Sequence, residues 1–378
     1  MNYELTDKNR LWAEEVYEKI RVKIKAECAR VGSAIPYIAE DGVYREDKAQ
    51  TDISWWTNGF WPGILWQMYH AQGDEEFRAA AQGVEEKLDQ AFHLYTGLHH
   101  DVGFMWLHSA VANYRLTGNQ RSRDRGLHAA NLLAGRYNPR GRFIRSWNED
   151  RAGWVIVDSM MNIPLLYWAG QETGDPRYEY LAMDHGDTVM NLTVRGDGSC
   201  NHIIILDPAT GELLKTPGGQ GYGPGSSWSR GQAWGIYGFA LSYRHTGKKD
   251  YLDTAKQVAS YFLAQTDRTG HVAVVDFRAP KEPVYWDSTA GVCAACGMLE
   301  IAAHVPKPEQ DFYVESALNI LKATDERFCD WDPNKDSIVQ MGTASYESSS
   351  DRHVPIIYGD YFFIEAVLRL LGKDFLIW

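Results

Sequence analysis

The chain reads as an all-α protein, an (α/α)6 barrel of six helical hairpins. Three features predict it: a glycine-ended phrase that recurs along the sequence, an alternation of two kinds of helix, and connections that are long at one end of the hairpins only. The phrase is "YHAQGDEEF" from Tyr69, "YRLTGNQRS" from Tyr114, "AGQETGDPRY" from Ala169 and "YRHTGKKDY" from Tyr243. In each, an apolar segment stops at a glycine able to take the left-handed conformation that ends a helix. A polar turn then opens the next periodic segment. Recurrence of that unit marks stacked helical hairpins.

In chain order, amphipathic helices are expected at 8–29, 74–91, 120–136, 176–191, 250–265 and 310–327. Each keeps a charged face, as in "YLDTAKQVASYFL", and belongs on the outside. The helices expected at 57–71, 104–116, 158–172, 230–246, 288–304 and 359–371 are apolar nearly all round, as in "GQAWGIYGFAL", and form the inner ring. Gly231, Gly235 and Gly238 lie at i, i+4 and i+7, so one face of the fourth inner helix admits a close neighbouring helix, at a propensity cost of about 1 kcal/mol each. Ala290, Gly291, Ala294, Ala295 and Gly297 act similarly in the fifth. Pro164 interrupts the third, whose regular part starts near Asn162 or bends there. Alternating inner and outer helices close a barrel around one continuous core. Residues 1–378 are therefore expected to form a single domain, where length alone suggests two or three.

Connections from inner to outer helices are short. Those from outer to inner, as at 30–56, 137–157, 192–229 and 328–358, are long and rich in Trp, His, Gly and Asp, which is where function concentrates. All enter the inner ring from one end, so the inner-helix N-termini line one mouth, and their partial positive charge suits an anionic ligand. Aromatic content of 13%, with 14 Trp and 21 Tyr, offers flat faces for sugar rings as well as core filling. The net charge of −12 argues against nucleic-acid or anionic-membrane partners. The N-terminus lacks a basic-then-apolar leader and no window reaches about 18 consecutive apolar residues, so a cytoplasmic location is expected. Five cysteines without a disulfide framework agree with a reducing compartment.

Four inner helices open beside an aspartate: Asp101, Asp158, Asp287 and Asp360. Asp is a preferred N-cap, and Asp287 and Asp360 are read as caps. Asp158, in "WVIVDSMMN", is walled by Val155, Ile156, Val157, Met160 and Met161. Apolar walls raise a carboxyl pKa, so Asp158 is either a general acid kept protonated near neutral pH or a satisfied buried cap. Asp101, in "GLHHDVGFMW", follows His99 and His100. The set could be metal ligands, a charge-tuned carboxylate or an ordinary surface turn; the histidines are expected to point apart and no HExxH-type spacing supports them, so no metal is expected. Across the mouth, Asp101 would complete the carboxyl pair that glycoside chemistry generally uses. The stretch "GGQGYGPGSSW", 218–228, lacks a nucleotide-loop ending and is either pliable backbone near a ligand or a linker. Cys293 and Cys296 are read as core packing.

Together, "WSRGQAWGIYGFALSYRHTG", "LHHDVGFMW", "VDSMMNIPLLYWAGQETGDPRY" and "YGDYFFIEAVLRL" resemble the unsaturated glucuronyl hydrolases, glycoside hydrolase family 88. The likeness runs from "TDISWWTNGFWPGILW" to the C-terminus, and that family has the six-hairpin barrel reached above from the repeat. It implies removal of a Δ4,5-unsaturated uronic acid from the non-reducing end of lyase-generated oligosaccharides, without cofactor or metal. It places the acid/base on Asp158, the second carboxylate on Asp101, and ligand contacts on Trp56, Phe60, His100, Trp147, His202, Gln220, Trp228, Arg230 and Trp234. Arg230, His202 and Gln220 would donate to the uronate or its neighbours. Members that take sulfated substrates can use serines and a lysine before the last inner helix. Here "SYESSSDRH" has Ser345 and Ser348, with Ser350 where the lysine would align, so sulfate preference is not implied. Three rivals stand beside this reading: an unsaturated rhamnogalacturonyl hydrolase, an epimerase-type barrel using histidine proton shuttles, and a non-catalytic sugar-binding barrel. A monomer or weak homo-oligomer is expected.

Overall fold

The computed structural model describes residues 3–378. In chain order its principal helices are α1 (Asp7–Val31), α2 (Phe60–Gln72), α3 (Glu75–Leu88), α4 (in three consecutive pieces, Val102–Trp106, a π-helical turn Leu107–Val111, and Ala112–Thr117), α5 (Gln120–Ala134), α6 (Pro164–Thr173), α7 (Arg177–Thr193), α8 (Ser229–Thr246), α9 (Lys249–Thr266), α10 (Ser288–Ala302), α11 (Lys307–Phe328) and α12 (Ile357–Leu370). The even-numbered helices pack in order around a ring, with α12 returning onto α2, and the odd-numbered helices form the outer layer. The helix α1 lies against α12, so the first outer helix completes the last hairpin.

The punctuation read from sequence is physically present. Gly73, Gly118, Gly174 and Gly247 close α2, α4, α6 and α8 in the left-handed region, with φ of 72°, 73°, 69° and 67°. Asp74 and Asn119 cap the helices that follow, accepting from the amides of Glu76 and of Arg121 and Ser122. Pro164 occupies the first turn of α6, where its missing N–H costs nothing, and the segment before it, Val157–Met161, forms a 3-10 turn.

The glycine face of α8 seats this turn rather than a straight helix. A Cβ on Gly238 would stand 2.4 Å from the Met160 Cβ and 2.8 Å from its backbone. On the other side, a Cβ on Gly103 of α4 would stand 2.5 Å from the Asn162 backbone. Only glycine at both positions lets the turn carrying Asp158 sit between the two helices.

Three small antiparallel sheets were not anticipated: β1 (Tyr137–Asn138) with β2 (Phe143–Ile144); β3 (Trp154–Ile156), β4 (Ile203–Leu206) and β5 (Leu213–Lys215) in that order; and β6 (Gly342–Thr343) with β7 (Arg352–Val354). All lie in the long outer-to-inner connections and stiffen the mouth. The cap reading of Asp287 and Asp360 is corrected: neither side chain accepts a backbone N–H at the start of its own helix, and Asp287 instead accepts from the Thr289 hydroxyl, the Thr343 amide and Arg230. Asp360, inside α12, accepts from the amides of Ile338 and Val339 and the hydroxyl of Ser337, pinning the 337–339 loop. Cys293 and Cys296 are fully buried in α10, as expected of core residues.

At the end of the barrel away from the long loops, the C-terminal segment folds back under the ring. Gln67 exchanges hydrogen bonds with the backbone of Phe375, Arg115 holds the carbonyls of Leu376 and Ile377, and the Trp378 indole N–H donates to Glu365 at 3.0 Å. The Trp378 ring lies parallel to Phe362 and edge-on to His108. Trp378→Ala removes both a buried indole and a donor to a buried carboxylate, so it is expected to destabilise the fold by about 3–5 kcal/mol in denaturant titration.

Candidate active site

The starts of the six inner helices meet through named contacts. Trp56, just before α2, packs against Phe104 of α4 at 5.4 Å and Tyr358 of α12 at 5.2 Å. Asn162, before α6, donates to Asp101 Oδ1 at 2.9 Å and to the Asp158 carbonyl at 3.3 Å, tying the two aspartates to one amide. His202 packs at a tilt against Trp228 at 4.3 Å, and Arg230 of α8 reaches both Asp287 before α10 and the Tyr358 ring.

Asp101 and Asp158 are 7% and 9% exposed, so each touches solvent through a narrow opening only. Burial pushes Asp158 up to about 7, opposed by the positive charge of Arg230. Asp101 is pushed up to about 8, first by burial and then by the negative charge of Asp158, while the Asn162 hydrogen bond pulls the other way. Both carboxyls are therefore available as acids near neutral pH, and their titrations belong to the pair. Of the two readings left open for Asp158, the satisfied cap fails: its Oδ1 finds no hydrogen-bond partner within the protein.

His202 accepts the Gln220 amide N–H on Nδ1 at 3.0 Å, so the neutral ring carries its proton on Nε2, which faces Asp158 Oδ1 at 3.7 Å. The 218–228 stretch is thus the wrapping of His202: Gly219, with φ 60°, lies against the imidazole where any Cβ would collide with it. Burial holds His202 down to about 3 and His100 well below its usual range.

The structure redistributes several expected ligand contacts. Trp56 and Trp147 are half-exposed and remain available as sugar-facing walls. Phe60 and Trp234 have no exposed surface and lie beneath the site, Phe60 behind Trp56 and Trp234 behind Phe104. Trp228 is buried between His202 and Arg230, and His100 is fully buried beside Asp101. The terminal nitrogens of Arg230 are committed to Asp287, Thr289 and the carbonyls of Thr343 and Ala344, so it supplies charge to the site rather than a free fork of donors. The Gln220 side-chain amide likewise donates to the Ala344 carbonyl at 2.6 Å. His99 and His100 do not point apart, since both rings approach Asp101.

Sequence reading missed the support under Asp158. Ile144 N–H donates to His185 Nδ1 at 2.9 Å, His185 Nε2–H to Ser159 Oγ at 2.7 Å, and Ser159 O–H to the Ile156 carbonyl at 2.6 Å. This buried relay fixes the 3-10 turn. No local pattern announces it, because its members come from three separate stretches of chain.

Because Asp101 and Asp158 keep their protons to higher pH in the folded chain than the ordinary 3.8, folding takes up protons between about pH 4 and 8. The stability associated with these protons is present at low pH and is lost as pH rises through about 7 and about 8. Asp101→Asn is expected to match the parent in thermal melting near pH 4 and to exceed it by about 1 kcal/mol or more near pH 9.

The sequence pattern of Glycosyl Hydrolase Family 88 matches residues 36–250. The unsaturated glucuronyl hydrolase of Bacillus sp. (strain GL1) is 34% identical over 372 residues, covering 95% of this chain and 97% of the relative. A 1.8 Å crystal structure of unsaturated glucuronyl hydrolase from Bacillus sp. GL1 superposes with a TM-score of 0.89 at 34% identity, covering 95% and 96% of the two chains. A mutant of the Streptococcus agalactiae unsaturated glucuronyl hydrolase, complexed with dGlcA-GalNAc6S, superposes with a TM-score of 0.84 at 30% identity, covering 100% and 95%. With the barrel, the buried carboxyl pair and likeness over nearly the whole length, the chain belongs to Glycosyl Hydrolase Family 88.

Proposed function

We propose that this glycosidase removes a Δ4,5-unsaturated glucuronyl group from the non-reducing end of lyase-generated oligosaccharides by hydrating the C4=C5 enol ether. The observation that carries this is a single buried carboxyl, Asp158, held near neutrality at the meeting point of the inner-helix starts. The family and the relatives' names favour this substrate over a rhamnogalacturonyl one. An epimerase-type shuttle is disfavoured because His100 and His202 are held neutral by burial.

In the proposed reaction the Asp158 carboxylic acid gives its proton to C4, and positive character develops at C5 and the ring oxygen. The resulting Asp158 carboxylate, faced by the His202 Nε2–H, accepts a proton from water as the water oxygen bonds to C5. The hemiketal opens, releasing the saturated sugar and an open-chain keto acid, and Asp158 is again protonated. Water is the only co-reactant. Asp101, which Asn162 links to the Asp158 main-chain carbonyl and whose own proton affinity is raised by burial and by Asp158, offers a second acid to the substrate. Arg230 and the inner-helix N-termini supply the positive field for the uronate carboxylate. We further propose that residues 1–378 act as one catalytic unit, monomeric or weakly associated, without nucleic-acid partners. A cytoplasmic location is supported by its free cysteines; no described helix is long and apolar enough to cross a membrane.

Asp158→Asn is expected to lower kcat by roughly a thousand-fold or more with unchanged circular dichroism, since the amide cannot give up a proton. Wild-type-like turnover would refute the role. On a panel of unsaturated disaccharides followed by loss of enol-ether absorbance, glucuronyl substrates without sulfate are expected to lead. Sulfated ones should fall behind, because the 345–351 loop has Glu347 and Asp351, and the adjoining Arg352 is committed to the Tyr346 carbonyl and the Tyr285 ring. Preferential turnover of the rhamnogalacturonan-derived disaccharide would overturn the assignment.

A further inference from the structure

Hydrolysis as proposed leaves His99 without a task, yet His99, His100 and Asp101 form a set of their own. One nitrogen of each imidazole and a carboxylate oxygen lie within 4.8 Å of one another, with His99 Nδ1 3.3 Å from Asp101 Oδ2 and His100 Nε2 3.3 Å from Oδ1. His99 Nδ1 and both nitrogens of the fully buried His100 find no hydrogen-bond partner. Buried unpartnered imidazole nitrogens are costly and uncommon, and a ligand that accepts their lone pairs removes the cost.

Two imidazoles and a carboxylate are the donor set favoured by borderline divalent ions, which hold such ligands at about 2.0–2.2 Å. Ligand atoms around such an ion lie about 3.4 Å apart, so small side-chain rotations bring the set to geometry. A route in exists apart from the substrate mouth. A cleft of about 370 Å³ lined by His99, Arg136, Arg145 and Asn148 opens onto the His99 side of the cluster. The positive charge of Arg136 acts on all three residues, and its guanidinium is tied to the carbonyls of Arg145 and Ser146 and the side chain of Asn148.

The geometry points to an inhibitory site for a zinc-like divalent cation, ligated by His99, His100 and Asp101, which withdraws Asp101 from hydrolysis. The inhibitory part rests on the function proposed above; the ligation does not.

The test titrates chelator-treated full-length protein with ZnCl2 by calorimetry, with Co2+ absorption as an independent report of imidazole ligation and disaccharide turnover measured in parallel. One equivalent of zinc is expected to bind and turnover to fall to about a tenth or less at saturation, recovering with EDTA. His99→Ala and His99→Gln are expected to weaken zinc binding and inhibition together by about ten-fold or more, with metal-free turnover within about three-fold of the parent. Absence of stoichiometric binding, or equal binding in the parent and both His99 variants, would overturn the site. Binding that depends on His99 but leaves turnover unchanged would instead overturn the inhibitory role and the use of Asp101 in hydrolysis, while the ligands stand.

Discussion

The exclusion of water from two neighbouring carboxyls is the constraint on which the rest of this structure depends. An aspartate removed from water either finds a cation or keeps its proton. At the mouth of the barrel the one fully buried cation close by, Arg230, is engaged by Asp287 and by backbone carbonyls. Asp158 feels its charge without forming an ion pair, and Asp101 is further discouraged from ionising by Asp158. The result is a pair of buried carboxyls at the mouth that hold their protons toward neutral pH, as the proposed reaction requires.

The opposite end of the same barrel shows what the fold does when a carboxylate serves structure. Glu300, also fully buried, receives Arg244, Arg369 and His304, and is driven well below the usual carboxylate range. Burial alone is therefore not the determinant. At the floor Glu300 is matched by its cations, whereas at the mouth Arg230 is committed to Asp287 and backbone carbonyls, which leaves Asp158 and Asp101 with raised proton affinity. The floor fixes the ring through Glu365 and Trp378, while the mouth is fixed by glycine contacts and the His185–Ser159 relay, which keep the Asp158 turn rigid without offering Asp158 a partner. The stability given up at the mouth is the familiar cost of a site built for chemistry.

Much of the fold was legible because its signals are local. A glycine after the first helix of four hairpins, an apolar stretch alternating with an amphipathic one, and a proline at the start of α6 each act within a few residues. The apolar wall around Asp158 was legible for the same reason, its members being contiguous. What stayed hidden depends on pairings across the chain: Arg230 with Asp287, Ile144 with His185, Gln220 with His202. Aromatic identity was also ambiguous. Trp56 and Trp234 look alike as residues, but one stands half-exposed at the mouth and the other lies sealed behind Phe104, a difference set by helix packing alone. The aspartates opening α10 and α12 read as caps because capping is the common local role, whereas Asp287 pairs with Arg230 of α8 and bonds the Thr289 hydroxyl rather than a helix amide, and the partners of Asp360 come from the 337–339 loop.

The proton affinity of Asp158 can be read directly. Carbon-13 NMR of protein labelled at the aspartate carboxyl, with resonances assigned through Asp158→Asn and Asp101→Asn, follows both groups across pH. The account predicts a resonance lost in Asp158→Asn that titrates with a midpoint near 7, beside a partner near 8. Two resonances that both titrate in the ordinary carboxyl range near about 4 would contradict it.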